Sequence, residues 1–207
     1  MILGYTKGDN VIVVEGPDGS GKTTLVKRIM ESKLGSELEL MPRAVSKDAK
    51  SLTKIDDYIE EELGKGFGMR LYDRFALISS PCYAMLPDRT FTGRMFDPVW
   101  LRAHFDKMYQ VDPVIIMCLP SLDTVVGNTR IGDDNRVVQE DIEAIYINYL
   151  SYWAAQGSTN GTSMMRWDYH NPDQQRLDNL LQWAKGRVDY AANSVEGRIK
   201  KWKTDFS

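Results

Sequence analysis

The most constraining stretch of this chain is a glycine-rich octapeptide, Gly16-Pro17-Asp18-Gly19-Ser20-Gly21-Lys22-Thr23. It lies between the apolar run Val11-Ile12-Val13-Val14 and a run of helical character, Thr24-Leu25-Val26-Lys27-Arg28-Ile29. Strand, glycine loop and helix in that order form the cradle of a P-loop. Its glycines let successive backbone N–H groups turn inward on a phosphate, at a helix N-terminus whose dipole already favours anions. Gly16, Asp18, Gly19, Ser20, Gly21, Lys22, Thr23 and Thr24 are expected to surround the phosphates of ATP. Lys22 would reach the β and γ oxygens, and the Thr23 hydroxyl would ligate Mg²⁺. The flanking strand and helix separate this reading from a glycine turn that holds no ligand.

Apolar runs bounded by turn residues recur at Val11 to Val14, Leu38 to Met41, Met69 to Tyr72, Val114 to Leu119 and Ser163 to Trp167. Helical segments are expected between and after them, at Lys22 to Ser32, Ile55 to Leu63, Pro98 to Tyr109, Val137 to Ala155 and Pro172 to Ala184, with a further one in the tail. Alternation of this kind predicts an α/β fold, a three-layer doubly wound domain around a parallel five-stranded sheet, with ligands beyond the carboxyl ends of the strands. With 207 residues the chain is long enough for one such domain, read as 1–207 with no linker or repeat. Ile142, Ile145, Tyr149, Tyr152 and Trp153 follow helical spacing and read as core packing rather than a base-stacking platform.

No apolar run approaches a membrane span, and the start of the chain lacks the pattern of a secretory signal, so a cytoplasmic setting is expected. Cys82 and Cys118 are too few for a disulfide framework and read as small buried hydrophobes. His104 and His170 read as structural or surface residues rather than metal ligands. A net charge of −3 neither implies nor excludes a local basic groove. A homodimer is a possible assembly, on which the sequence does not decide.

Phosphoryl transfer needs an oriented Mg²⁺ and fixed cations on the charge that develops in the transition state. Tyr72-Asp73-Arg74-Phe75, at the end of the third strand, offers both. Asp73 can meet the Mg²⁺ shell or accept a hydroxyl proton, and Arg74 can bridge phosphates. The fourth strand ends in Cys118-Leu119-Pro120 without a carboxylate, which shifts the metal role toward Asp73. Arg130 and Arg136 flank Ile131-Gly132-Asp133-Asp134-Asn135, a polar insert that reads as a lid over about 128–136. Its arginines would close over ATP and exclude water; in the alternative they pair with Asp133 and Asp134 in a solvated loop.

Glu15-Gly16-Pro17-Asp18-Gly19-Ser20-Gly21-Lys22-Thr23-Thr24, then Asp73-Arg74-Phe75, then an arginine-bearing lid, together resemble the thymidylate kinase-like branch of P-loop kinases, in an order that covers most of the chain. The resemblance implies ATP- and Mg²⁺-dependent transfer to a thymidine-type deoxynucleotide. It also implies that Asp18 approaches the acceptor sugar, that Asp73 and Arg74 bridge the two phosphates, and that Arg130 or Arg136 serves the lid. Two departures lie on the acceptor side. Where the family carries an Arg-Glu-Pro-Gly-Gly-like segment this chain has Met41-Pro42-Arg43-Ala44, so that only Arg43 can stand in. The tyrosine expected after Asp-Arg-Phe arrives one residue late, as Tyr83. The run Tyr72 to Tyr83 is similar also to a bacteriophage kinase family that phosphorylates 5-hydroxymethyluracil bases in DNA, which would place the chain in the host cytoplasm.

A free monophosphate acceptor calls for a closed pocket with Arg43 and Arg74 on its dianion. A modified-DNA acceptor calls for an open basic groove and a flipped or single-stranded base. Arg89, Arg94 and Arg102, interleaved with Phe91, Phe96 and Trp100, are candidates for such a groove. The basic tail over about 186–207, with Arg198, Lys200, Lys201, Trp202 and Lys203, reads first as a solvated helix face. A third reading, from another class, is an ATP-controlled binding module without phosphoryl transfer.

Overall fold

Each of the five apolar runs forms a strand: β1 (Val11–Glu15), β2 (Leu38–Leu40), β3 (Met69–Asp73), β4 (Val114–Cys118) and β5 (Met164–Trp167). The computed structural model describes residues 11–41, 68–75, 78–79, 82–83, 113–132, 136–157 and 164–186, and for 130–132, 136–140 and 156–157 the backbone alone. The helices expected at Ile55 to Leu63 and Pro98 to Tyr109, Arg43, His104, the Arg89 to Arg102 region and the tail beyond 186 lie outside the described residues.

All strand pairs are parallel and the sheet order is β2-β3-β1-β4-β5. The order reverses beside β1, which puts a topological switch point at the end of the strand that enters the glycine loop. The register sets Val14 against Asp73 on one side and against Ile116 on the other. The ends of β3, β1 and β4 therefore share one edge.

Alternation along β1 divides the core in two. Val11 and Val13 pack with Tyr72, Ile115, Met117, Ile142, Ile145 and Tyr149, whereas Ile12 and Val14 pack with Leu25, Ile29, Leu71, Ile116, Leu177 and Leu181. The first face is covered by α2 (Leu122–Gly132) and α3 (Arg136–Gly157), the second by α1 (Lys22–Glu31) and α4 (174–186). Burial on both faces explains why β1 and β4 read as unbroken aliphatic runs rather than as alternating ones. The stripe on α3 is core as expected: Ile142, Ile145 and Tyr149 are buried, and Tyr152 and Trp153 pack against them. Cys82 and Cys118 are free and buried.

One local expectation is corrected. Of the segment read as a polar insert, Ile131 and Gly132 belong to helix, because α2 continues through Arg130 to Gly132, and α3 begins at Arg136. Only 133–135 separate the two helices. α2 thus ends at Gly132, a residue that the sequence reading places inside the insert.

Candidate functional site

The glycine loop leaves β1 at Gly16 with φ 146°, and Gly19 and Gly21 also have positive φ. None of the three takes a Cβ without a clash, Gly19 because it would meet the Thr129 hydroxyl at 2.7 Å and the Val125 carbonyl at 2.8 Å. A Cβ on Gly16 would stand 2.4 Å from the carbonyl oxygen of Cys118 at the end of β4, and one on Gly21 would stand 2.7 Å from the ring of Tyr169. Gly21 caps α1 in the left-handed region without a side-chain bond, and the first turn of α1 carries no acidic residue. The helix thus presents its N–H groups and positive dipole end to the loop, an arrangement suited to anions.

Lys22 is buried at the start of α1 and its Nζ donates to the carbonyl of Pro17 at 2.5 Å. Burial and then the charge of Arg74 lower its pKa to about 8, against the opposing pull of Asp18 and Glu15. An ammonium held at such a cost gains by meeting an anion. Thr23 and Thr24 are exposed on the same turn, and the cleft there, about 500 Å³, is lined by Asp18, Gly19, Gly21, Lys22, Thr23, Thr24, Asn128 and Tyr169.

Asp73 ends β3 beside Val14, and one of its carboxylate oxygens lies 3.5 Å from the Thr23 hydroxyl. Its other oxygen, Oδ1, is buried without a hydrogen-bond partner among the described residues. A hydroxyl facing a carboxylate with an orphaned oxygen is a donor set that fits a hard divalent cation. Arg74 follows in the left-handed region, φ 76°, at a cost on the order of 1 kcal/mol for a residue with a Cβ. Its guanidinium makes an ion pair with Asp18 and lies 4.9 Å above the ring of Tyr83, whose hydroxyl donates to the other oxygen of Asp18 at 2.9 Å. Burial opposes the charge on Arg74, but Tyr149, Tyr83, Asp18 and Glu15 together outweigh it and raise its pKa above the ordinary value. Burial, reinforced by Asp18, pushes the Tyr83 phenol up, so that it serves as a donor.

The structure thus brings together Asp18, Lys22, Thr23, Asp73, Arg74 and Tyr83 from three segments of sequence. Arg130 ends near the same edge on α2 and Arg136 opens α3, with backbone positions alone described; Arg43 lies outside the described residues.

Four residues of the site are given no role in phosphate or acceptor binding by the sequence reading, which places Tyr149 in the core and Asn128 at the edge of the lid. Asn128 on α2 donates to the Gly19 carbonyl at 2.9 Å and to the Tyr169 hydroxyl at 2.5 Å. Tyr169, just after β5, occupies the same edge as Asp73, and the strand-end rule that singled out Asp73 applies to it equally. Glu15 and Tyr149 form a buried pair at the other side of the loop, with the phenol donating to Oε2 at 2.9 Å. An acid closing a run of four aliphatic residues was the available signal for Glu15.

No protein-family model and no curated protein matches the chain. Among solved structures, the chain is similar to the YorR protein of Bacillus subtilis in complex with phosphorylated GDP, with a TM-score of 0.57 and 18% identity over 90% of this chain and 98% of that one. It is similar to the deoxyadenosine kinase of M. mycoides with bound dATP, with a TM-score of 0.53 and 15% identity over 90% of this chain and 99% of that one. The same kinase with bound dCTP gives 0.52 and 15% over 90% and 98%. At these identities what is shared is the fold: a parallel sheet in the order 2-3-1-4-5, as in P-loop kinases.

Proposed function

We propose that the chain is a kinase of a single domain that transfers the γ-phosphate of ATP, with Mg²⁺, to a deoxynucleotide of the thymidine type. The observation that carries this reading is the placement of Asp73 3.5 Å from the P-loop Thr23 hydroxyl, with its other carboxylate oxygen buried and without a hydrogen-bond partner among the described residues. The loop, the N-terminus of α1 and Lys22 would hold the triphosphate; Thr23 and Asp73 would hold Mg²⁺, whose chemistry there would be charge neutralisation on the phosphates. Asp18 and Tyr83 form the acceptor wall. Arg74, paired with Asp18 at the wall of the cleft, neutralises charge that develops on the phosphoryl group in transit. Arg130 and Arg136, at the facing ends of α2 and α3, close over the donor and exclude water. The fold shared with a deoxyadenosine kinase supports the class of reaction and adds deoxynucleosides to the acceptors worth testing.

The test is ADP formation from ATP and Mg²⁺ with each dNMP, each deoxynucleoside and 5-hydroxymethyluracil-containing DNA as acceptor. A product with dTMP far above the acceptor-free rate supports the reading. ADP release that ignores every free nucleotide and rises with modified DNA replaces it by the DNA-base kinase, and ATP binding without any phosphorylated product replaces it by a binding module.

A further inference from the structure

We infer that Glu15 is the positioning residue for Arg74: its buried carboxylate holds the segment after β3 so that Arg74 keeps the left-handed conformation that aims its guanidinium at Asp18. The inference rests on the kinase reading for its catalytic consequence, though not for its structural one.

Glu15 is wholly buried at the end of β1. One oxygen, Oε1, accepts from the backbone N–H of Phe75 at 2.5 Å and from the Ser79 hydroxyl at 2.6 Å. The other, Oε2, accepts from the N–H of Gly16 at 3.2 Å and from the Tyr149 hydroxyl at 2.9 Å. The backbone N–H groups of Phe75 and Gly16, one on each oxygen, can only donate, so the site suits a group that accepts at both ends, which among side chains of this shape is a carboxylate and not an amide. These bonds join three pieces of chain: the first residue of the glycine loop, the turn after β3, and α3.

Arg74 sits between two of the anchors. Its own N–H donates to the Val14 carbonyl at 3.0 Å, and the next N–H, that of Phe75, is the one that Glu15 takes. A residue with a Cβ stays at φ 76° only when its neighbours over-determine it, and here the bonds on either side of Arg74 do so. With the backbone fixed, the guanidinium lies between Asp18 and the Tyr83 ring. The Glu15 charge also favours the protonated forms of Lys22 and Arg74, which offsets the crowding of two cations beside the loop. In a Glu15→Gln variant one oxygen still serves Phe75 and Ser79. The amide NH₂ then meets the Gly16 N–H, donor against donor, and turning the amide over to relieve that clash sets the NH₂ against the Phe75 N–H instead, so a carboxamide does not hold the loop and the turn after β3 together.

The experiment compares the wild-type chain with Glu15→Gln, Arg74→Lys and the double variant in three measurements. They are the hydrogen-exchange rate of the Arg74 Nε–H by ¹⁵N NMR, assigned by its loss in Arg74→Lys, the Kd for ATP with Mg²⁺, and kcat with dTMP. Expected for Glu15→Gln are Arg74 exchange faster by about tenfold or more, kcat lower by about tenfold or more, and a Kd for ATP within about threefold of wild type. The double variant should turn over no more slowly than Arg74→Lys alone, because two residues that act through one another do not add. Unchanged Arg74 exchange, or losses in kcat that multiply in the double variant, would overturn the inference. Should Glu15→Gln fail to fold, Ser79→Ala, which removes one of the four donors, is expected to speed Arg74 exchange about threefold. No change in it overturns the inference equally. If the wild type transfers phosphate to no acceptor, the kinase reading falls, and the exchange measurement still decides the role of Glu15.

Discussion

Replacing Lys22 by methionine should make the protein more stable while destroying its activity, and the size of the effect follows from the burial of the ammonium. Burial and the charge of Arg74 lower the Lys22 pKa from 10.5 to about 8. At pH 7 the folded chain carries this charge at a cost of about 3 kcal/mol, at 1.36 kcal/mol for each pKa unit. The unfolded chain holds its proton up to the ordinary lysine pKa, whereas the folded chain releases it near pH 8. Between those values the unfolded state binds more protons, so the stability of the wild type rises with pH. The cost is full below about pH 8 and vanishes above about pH 10.5. Methionine replaces the apolar stem of the side chain without its ammonium and never carries the cost. It forfeits the bond to the Pro17 carbonyl, worth about 1 kcal/mol, although the Ser20 N–H also reaches that carbonyl, at 3.3 Å. Lys22→Met should therefore exceed the wild type by about 2 kcal/mol at pH 7, and the gap should shrink by about 2 kcal/mol on going to pH 9.5. Urea unfolding of both proteins at the two pH values measures this directly, since the other titrating groups are common to both. A methionine variant less stable than the wild type at pH 7, or a gap that ignores pH, would refute the account of Lys22 as a strained cation.

Three further outcomes are expected. Gly16→Ala forces a Cβ to within 2.4 Å of the Cys118 carbonyl in a φ region that L residues avoid, and should cost on the order of 3 kcal/mol of stability, read by denaturant unfolding. Asp73→Asn keeps the shape of the side chain and removes its charge; turnover should fall by about a hundredfold or more while ATP affinity without Mg²⁺ stays near wild type, as titration calorimetry would show. Tyr83→Phe removes the bond to Asp18 and keeps the ring beneath Arg74, so the acceptor KM should rise by about tenfold with the ATP KM unchanged. An unaltered acceptor KM would remove Tyr83 from the acceptor wall.

β1 and β4 were legible because they are buried on both faces and therefore read as unbroken apolar runs, whereas the short edge strands β2 and β5, with exposed Glu39, Leu40 and Arg166, were legible from the turn residues that bound them. Their ends were found to within a residue or two, and α3 was found from its stripe. Lys22, Thr23, Asp73 and Arg74 were legible for a different reason: a glycine loop after a strand, and an acid directly after another, carry their place in the fold in their local sequence. What escaped depends on contact across distance. Glu15 takes its partners 60, 64 and 134 residues away, and nothing near it in sequence announces them. Tyr169 and Asn128 meet over the loop from 41 residues apart, one after a strand and one within a helix whose length the glycine and aspartates at its end disguised. The left-handed Arg74 escaped too, since arginine has no preference for that region and takes it here because both flanking N–H groups are held.

The division between β1 with its loop and everything that faces it has a consequence for how the chain acquires its properties in time. The phosphate cradle is contained in residues 11–31, one strand, one loop and one helix, and its internal contacts close over short loops. Asp73 reaches Thr23 across 50 residues and Tyr149 reaches Glu15 across 134, and closing such distances belongs to the slow part of assembling a parallel sheet. During synthesis from the N-terminus the cradle emerges long before the segments that complete it. Because β1 pairs with β3 and β4, and Gly16 and Gly19 sit against Cys118, Val125 and Thr129, the loop takes its shape only when those segments dock, so both halves of the site are completed together and late.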